Sequence, residues 1–241
     1  MMMGQWLMTV LLLGTVSGIG GIYRDHGATG KWDPLVLEGL AQVEAGDWPV
    51  ARRFLRRALD KGCRDGLVYI TLGMGVAKAN DWEKAEKLFR AGEGDFKQRY
   101  SSYTVYDDYL ETRSQTLLQL RNPQAAKPFL EELLLRQPDS LTGLVLLGTA
   151  RLQLGETEEA VTLLTRAFPQ LPESSKEQVG IMLVRGNVDL NRDQQAVAWI
   201  DQVLARNASH PDLVQLRERL TGEQRSNRSV DPLLRMIQRP R

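Results

Sequence analysis

Residues 39–58 read GLAQVEAGDWPVARRFLRRA, and the same layout returns as GMGVAKANDWEKAEKLFRAG at residues 73–92, 34 residues later. The two copies share a glycine, an Asp-Trp pair, an alanine and a large apolar residue, at Gly39 and Gly73, Asp47-Trp48 and Asp81-Trp82, Ala51 and Ala85, and Leu55 and Phe89. A fixed period of this length is typical of a repeat array, so we expect each copy to be one structural unit.

The first copy carries the start and stop signals of two helices. Asp33-Pro34 favours a helix start, because Asp accepts hydrogen bonds from the amides of the first turn and Pro suits the first helical position. Gly46 favours a left-handed helix end, and Asp47 then starts a second helix. A connection this short makes the two helices antiparallel. The small residue Gly39 predicts that the two helices approach closely at this position.

The composition is that of a globular protein without a strong overall charge. Of 241 residues, 42% are hydrophobic and 25% are charged, and 31 basic against 30 acidic side chains leave a formal charge of +1. This balance gives no long-range attraction for nucleic acid, so we expect no nucleic-acid partner. The single cysteine, Cys63, cannot form an internal disulfide and is predicted to be a buried or half-buried apolar residue.

A long uncharged run, Trp6–Tyr23, lies near the start of the chain. Its 18 residues would span about 27 Å as a helix, close to the thickness of a membrane's hydrocarbon core. We predict that residues 1–23 form a single transmembrane anchor and that residues 24–31 are a linker. Two alternatives stay open: a signal peptide that is cleaved near the small residues 16–18, and an apolar helix packed on the repeats.

The residues that recur in register resemble the tetratricopeptide repeat. Three clear copies carry the resemblance, at Leu35, Gly39, Gly46-Asp47-Trp48, Ala51, Leu55 and Ala58, at Tyr69, Leu72-Gly73, Asp81-Trp82, Ala85 and Phe89, and at Leu144, Leu147-Gly148, Gly155, Ala160, Leu164, Ala167 and Pro172. Two weaker copies fill the gaps, at Leu110, Leu117, Ala126, Leu130, Leu133 and Pro138, and at Leu183, Asn187, Ala196, Ile200 and Val203. The resemblance covers about residues 32–210.

The resemblance implies an all-α fold: a right-handed superhelix of about five helical hairpins and a C-terminal capping helix, preceded by one N-terminal transmembrane helix. The array with its cap is expected over residues 32–220, with repeats at about 32–65, 66–99, 107–140, 141–174 and 177–210. The third copy starts about seven residues late and has Arg113-Ser114 where the family prefers Leu-Gly. Residues 221–241 are predicted to be a basic tail, either solvated or acting as a docking element.

Location follows from the anchor and the resemblance together. Many membrane-tethered bacterial proteins of this type hold their repeats outside the inner membrane. Arg24 and Lys31, which follow the uncharged run, favour the cytoplasmic side by the positive-inside rule. We expect a single-pass membrane protein of the bacterial inner membrane, with the side of the repeats left open.

In this family the first helix of each hairpin lines a concave groove that binds polypeptides. Counted in register, the expected groove residues are Val36, Leu40, Val43, Ile70, Met74, Lys78, Glu111, Gln115, Val145, Thr149 and Arg185. Family members that grip a C-terminal carboxylate carry Lys, Asn and Arg at these places, whereas Val36 and Leu40 stand at the first such sites here. The resemblance therefore implies a peptide with apolar anchors.

Tyr100, Tyr103, Tyr106 and Tyr109 recur every three residues beside the seven-residue insertion. On a helix this spacing keeps neighbouring side chains close together on one broad side. Two interpretations stay open. The tyrosines pack between helices, or they form an aromatic contact face for a peptide or a second subunit, since Tyr is favoured at interfaces.

No pattern in the sequence indicates a reaction. His26 and His210 lie far apart, and neither has a second ligand at metal-binding spacing. The glycines of residues 18–21 follow no predicted strand and lack the Lys-Ser/Thr of a phosphate-binding loop. We therefore expect no catalytic site, no metal and no cofactor.

The expected function is non-catalytic. A membrane-tethered scaffold or adaptor would bind a protein or peptide partner in its groove and serve the assembly or maintenance of a membrane-associated complex. The alternative is a structural subunit that forms homo-oligomers, with the tyrosines or the tail inserted into the groove of a neighbouring copy.

Overall fold

The computed structural model describes residues 33–207 and 209–222. Within these residues the chain forms eleven α-helices and no strand, which confirms the predicted all-α class. None of these helices is both long and apolar enough to cross a membrane. The predicted anchor at residues 1–23, the linker at 24–31 and nearly all of the tail at 221–241 lie outside the described residues.

The described chain forms two compact units, and the first covers residues 33–138. It contains six helices that pack as three consecutive pairs. Their bounds are α1 Pro34–Glu44, α2 Trp48–Asp60, α3 Gly66–Ala77, α4 Trp82–Tyr100, α5 Thr104–Gln119 and α6 Pro123–Arg136.

The second unit starts at Asp139 and contains two further helix pairs and a final helix. Their bounds are α7 Leu141–Leu154, α8 Thr157–Ala167, α9 Glu173–Asp189, α10 Asp193–Arg206 and α11 Pro211–Thr221. A short 3-10 turn, Phe168–Gln170, follows α8. The final helix α11 buries Leu213 and Leu216 in a cluster with Ile200 of α10, so it covers apolar surface that α10 would otherwise expose.

Polar caps and glycines set the helix ends that the sequence indicated. The side chain of the preceding residue accepts a hydrogen bond from a first-turn amide at the start of α1, α2, α3, α4, α6 and α7. Asp33 Oδ1, for example, accepts from the amide of Leu35 at 2.7 Å. Gly46 follows α1 with a φ of 77° and Gly155 follows α7 with a φ of 79°. This left-handed conformation costs glycine little because it has no Cβ atom.

In three of the pairs, the two helices touch where a glycine of the first helix faces a large side chain of the second, sixteen residues later in the chain. A Cβ atom built on the glycine would lie 2.6 Å from Leu55 at Gly39, 2.6 Å from Phe89 at Gly73 and 2.7 Å from Leu164 at Gly148. Real Cβ atoms do not come this close to a neighbour, so these pairs need a glycine. The close approach predicted at Gly39 is confirmed.

The seven-residue insertion lengthens a helix instead of forming a loop. Helix α4 has 19 residues, whereas α2 has 13. The added turns carry Phe96 and Tyr100 against α5, where the rings of Phe96 and Tyr106 lie 5.9 Å apart. The carboxylate of Asp95 also accepts a hydrogen bond from the amide of Gly66 at 2.6 Å, which ties α4 to the start of α3.

We expect Gly148→Ala to lower the free energy of unfolding by about 1–3 kcal/mol, because the new methyl group overlaps Leu164 in a packed contact. Gly94→Ala in the exposed part of α4 is the matched control. Nothing lies within 4 Å of its added Cβ, so alanine should stabilise that helix by about 0.5–1 kcal/mol. Urea denaturation measures both changes, and equal effects at the two sites would contradict the contact assignment.

Candidate functional site

Within each unit, the first helix of a pair is buried more completely than the second. In α3, 11 of 12 residues are buried, whereas α2 buries only Ala51, Leu55 and Ala58. In the second unit, residues 143–150 of α7 are all buried, whereas α8 buries four residues. The first helices therefore form an inner layer, and the second helices expose a polar outer face.

The predicted groove residues lie on the inner helices, but most of them are not accessible. Eight are buried: Val36, Leu40, Val43, Ile70, Met74, Gln115, Val145 and Thr149. Lys78, Glu111 and Arg185 are partly exposed. The expectation of an open apolar groove at the eight buried positions is wrong for the described chain, and the binding role of these residues stays a prediction.

The burial follows from helices that are apolar on every side. Helix α3 reads GLVYITLGMGVA and carries no charge, and a helix that is hydrophobic all round is buried all round. Its side chains Ile70 and Met74 belong to the same hydrophobic cluster as Leu40 of α1 and Tyr109 of α5. Counting in register assigns a residue to one side of a helix, but it does not establish that this side is open.

Four polar side chains interrupt the apolar inner layer of the first unit. Lys78 follows the last residue of α3, and Asp108, Glu111 and Gln115 lie on one side of α5 at spacings of three and four. Both carboxylates act electrostatically on Lys78. Three of the four residues were predicted to line the groove. Asp108 was not, although its position one turn before Glu111 on α5 was a signal for it.

The carboxyl group of Glu111 changes its ionisation state near neutral pH. Burial raises the pKa of Glu111 to about 7; the negative charge of Asp108 acts in the same direction and the positive charge of Lys78 opposes it. Burial also lowers the pKa of Lys78, against the effect of the two carboxylates.

One member of the group is a buried donor without an acceptor. Gln115 is 4% exposed, and its Nε2 atom has no hydrogen-bond partner among the described residues. Most buried polar atoms in native proteins are hydrogen-bonded, so an unsatisfied amide of this kind needs an explanation. A carbonyl or carboxylate oxygen from outside this part of the chain would satisfy it.

In the second unit, the predicted groove residue that reaches solvent is Arg185 on α9. Its Nε atom lies 3.8 Å from the carboxylate of Asp189, one turn later. Val145 and Thr149 on α7 are buried, and the Thr149 hydroxyl donates to the Val145 carbonyl oxygen at 2.8 Å. The Thr149 hydroxyl and the Arg185 guanidinium thus each have a partner within their own helix.

The four tyrosines lie in the core of the first unit. Tyr100, Tyr106 and Tyr109 are fully buried, and Tyr103 is half-buried against the same cluster. Three hydroxyls donate to carboxylates, Tyr100 to Asp65 at 3.0 Å, Tyr106 to Glu132 at 2.9 Å and Tyr109 to Glu93 at 3.1 Å. Burial raises the pKa of each of these phenols. The structure shows the packing interpretation, and the expected aromatic contact face is wrong because the lengthened α4 covers these rings.

Arg113 is the centre of a buried ionic network. Its Nη2 lies 3.1 Å from Glu86 Oε1 on α4, and its Nη1 lies 2.6 Å from Glu93 Oε1 and 2.6 Å from the Tyr109 hydroxyl. The guanidinium also stacks on the ring of Phe129, 4.5 Å from its centroid. Burial opposes the charge of Arg113, but the hydrogen bonds to the two carboxylates outweigh it and raise the pKa of the guanidinium.

No group of three or more His, Cys, Asp or Glu side chains is placed to hold a metal ion in residues 33–207 and 209–222. Cys63 is free and half-buried, as its sequence position predicted. His210, just before α11, lies 2.8 Å from the carboxylate of Glu177 on α9.

The comparison with protein families identifies one segment. Residues 117–178, from the end of α5 into α9, match the family model described as tetratricopeptide repeat. This segment is similar to tetratricopeptide repeats. It contains the third clear copy of the sequence pattern and part of the weak copy before it. A comparison with curated proteins gives no match.

Solved tetratricopeptide repeat structures share the fold of the chain. The crystal structure of YrrB, titled a TPR protein with an unusual peptide-binding site, has a TM-score of 0.64 at 12% identity and covers 84% of this chain and 99% of its own. MamA 41-end from Desulfovibrio magneticus RS-1 has a TM-score of 0.57 at 17% identity and covers 80% of this chain and 97% of its own. MamA AMB-1 has a TM-score of 0.59 at 17% identity, with 74% and 100% covered. At these identities the likeness shows the fold.

We expect Glu111→Gln to remove a pH dependence of stability. The folded chain binds the Glu111 proton more tightly than the unfolded chain, so the free energy of unfolding falls as pH rises from about 4.5 to about 7. The glutamine variant should be more stable than the wild type at pH 8, by on the order of 1–3 kcal/mol, and nearly equal to it below pH 4.5. Urea midpoints across this range measure the effect. Glu83→Gln on the exposed side of α4 is the control, and an unchanged slope in Glu111→Gln would refute the assignment.

Arg113→Met should destabilise the first unit by about 1–3 kcal/mol, because the buried carboxylate of Glu86 loses its buried partner and keeps only the largely exposed Arg90. The double variant Arg113→Met with Glu86→Leu removes both buried charges and should recover most of this loss. Thermal denaturation of the two variants tests the network. A double variant that is no more stable than the single one would show that the ion pair is not what Arg113 supplies.

Proposed function

We propose that this chain is a non-catalytic tetratricopeptide repeat scaffold that binds a partner polypeptide at its inner helices. Residues 1–23 tether it to a membrane as a single-pass protein of the bacterial inner membrane. The bound partner is part of a membrane-associated complex, which the scaffold helps to assemble or maintain. The repeats bind protein rather than nucleic acid, since the overall formal charge is only +1.

The observation that carries the proposal is the unsatisfied amide of Gln115 beside an ionisable pair. A polypeptide backbone supplies carbonyl oxygens, which are the acceptors that the Gln115 Nε2 atom lacks within the described chain. Glu111, one turn before Gln115 on α5, interacts electrostatically with Lys78 and Asp108, so charge of both signs lies on the same side of that helix. The fold adds support, because YrrB, which shares it, is titled as having a peptide-binding site.

Burial of the site determines how a partner reaches it. Gln115 and Met74 are covered in the folded chain, so the side chains over them must move before a polypeptide can bind. Binding that requires a conformational change is slower than a diffusion-controlled encounter. It would also depend on pH near 7, where Glu111 gains or loses its proton.

Site-specific photocrosslinking in native membranes tests the proposal. A photoreactive residue replaces Gln119, which is partly exposed one turn after Gln115 on α5, and in a matched control it replaces Arg90 on the exposed outer face of α4. We expect a discrete polypeptide adduct from position 119 and none of the same size from position 90, because the partner contacts the inner helices.

A second variant tests whether formation of the adduct depends on the charge of Glu111. Glu111→Lys in the Gln119 crosslinking background should reduce the yield of the adduct by roughly tenfold, since it reverses the charge beside the contact. Identical adducts from positions 119 and 90, or an adduct unaffected by Glu111→Lys, would contradict the assignment of the inner helices as the binding face.

A further inference from the structure

Helix α2 and the turn after it carry a dense basic cluster. Residues 52–64 contain five Arg and one Lys against the single acidic residue Asp60, whereas the whole chain has a formal charge of +1. The six basic residues are Arg52, Arg53, Arg56, Arg57, Lys61 and Arg64. This local excess is cancelled elsewhere in the chain, so the overall charge conceals it.

The cluster is displayed on one side of the helix. Ala51, Leu55 and Ala58 bury the opposite side completely, and this packing fixes the rotation of α2 about its axis. Arg53, Arg56 and Arg57 are separated by three and four positions and are exposed, and Lys61 continues the same row. The result is a rigid strip of four positive charges, which we call the basic strip: Arg53, Arg56, Arg57 and Lys61.

The four basic side chains of the strip lack counter-charges, whereas several arginines later in the chain have them. Arg90, Arg136, Arg166, Arg192, Arg206 and Arg217 each pair with a carboxylate. No member of the basic strip has an ion pair or a side-chain hydrogen bond within the described residues. Like charges one turn apart repel each other. An anionic surface in contact with the strip would remove that cost.

The position of the strip in the chain favours a membrane over other anionic partners. Helix α1 begins at Pro34, and ten residues, 24–33, separate it from the uncharged run that ends at Tyr23. Ten extended residues reach at most about 33–36 Å. A run held in a bilayer therefore keeps α1 and α2 within reach of the lipid headgroups. Clusters of four to eight Lys or Arg on an amphipathic helix near a membrane segment are typical of binding to anionic lipid.

The surface chemistry gives less support for nucleic acid. Proteins that bind single strands combine positive charge with exposed aromatic rings on which bases stack. The aromatic residues of α2, Trp48 and Phe54, are both half-buried, and Trp48 packs against the core cluster. The strip offers charge without a stacking surface, which suits a layer of phosphate headgroups.

We propose that the basic strip of α2 docks on the anionic headgroup surface of the membrane and fixes the orientation of the repeats above it. The docking takes its position from the tether of the proposed function, whereas its affinity comes from the four charges. When α2 contacts the membrane, the inner helices lie on the side of the hairpin that faces away from the membrane. A partner can approach them from there.

The test uses the full chain reconstituted in vesicles of phosphatidylcholine, with or without about one third phosphatidylglycerol. A fluorescent donor is attached at Asp60→Cys in a Cys63→Ser background, and the acceptor is a headgroup-labelled lipid, chosen so that efficient transfer requires a distance well below the reach of the linker. Energy transfer from α2 should be strong with phosphatidylglycerol and weak without it. About 0.5 M salt should abolish it, because salt screens charges at the surface.

Two matched variants separate the strip from net charge. Arg53→Glu with Arg57→Glu should reduce the phosphatidylglycerol-dependent transfer at least about tenfold. Arg121→Glu with Arg219→Glu changes the net charge equally, at exposed residues without ion pairs in the described chain, and should leave the transfer intact. Equal transfer with and without phosphatidylglycerol, or equal losses in both variants, would overturn the proposal.

Flotation of the same vesicles distinguishes the docking from the tether. A chain that fails to float with pure phosphatidylcholine vesicles lacks the tether of the proposed function. The docking proposal is then upheld if the chain floats with phosphatidylglycerol vesicles and the Arg53, Arg57 variant does not, and overturned if the chain floats with neither. Retardation of an oligonucleotide that depends on Arg53 and Arg57, without an effect of phosphatidylglycerol, overturns it in favour of nucleic acid.

Discussion

The close contact between the two helices of a pair is the constraint on which the rest of the structure depends. A glycine backbone at residue 39, 73 or 148 lets the second helix bring a large side chain against the first. This contact sets the rotation of both helices. The polar side of the second helix then faces solvent. The remaining sides of the first helix pack against neighbouring helices. The contact between the helices therefore divides each unit into a buried inner layer and a polar outer layer. On this basis we propose that the inner layer binds polypeptide and that the outer layer carries the exposed charges of the basic strip.

The third repeat shows what happens when the constraint is met differently. Ser114 stands where the three clear copies have glycine, and its hydroxyl donates to the Leu110 carbonyl oxygen at 2.6 Å instead of reaching outward. Arg113 stands where the family prefers leucine, and it is accommodated only because Glu86 and Glu93 of α4 neutralise it. Glu93 lies just before the added turns of α4, which carry Phe96 against the ring of Tyr109. The lengthened helix and the Arg-Ser pair therefore meet at Tyr109, whose hydroxyl accepts a hydrogen bond from Arg113.

The sequence was sufficient for the helix pairs, their ends and the small residues between them, because caps and close contacts are local and leave a residue-level signature. It was not sufficient for exposure. The tyrosine spacing correctly placed Tyr106 and Tyr109 on one side of a helix, but it did not show that Phe96, in the added turns of α4, packs against both rings. The groove positions were assigned to the inner helices, yet the uncharged α3 sequence already indicated burial on all sides. The ionisation of Glu111 depends on neighbours from two helices, and no single segment encodes it.

We propose a different task for each layer: polypeptide binding at the polar side chains Lys78, Asp108, Glu111 and Gln115, and membrane docking at the outer face of α2. Hydrogen exchange of the full chain, alone and with a crosslinked partner, tests the central claim most directly. The account predicts that the partner slows exchange in residues 70–78 and 108–119 and leaves residues 53–61 unchanged. Protection confined to residues 53–61, or no protection at Gln115 and its neighbours on α5, would contradict it.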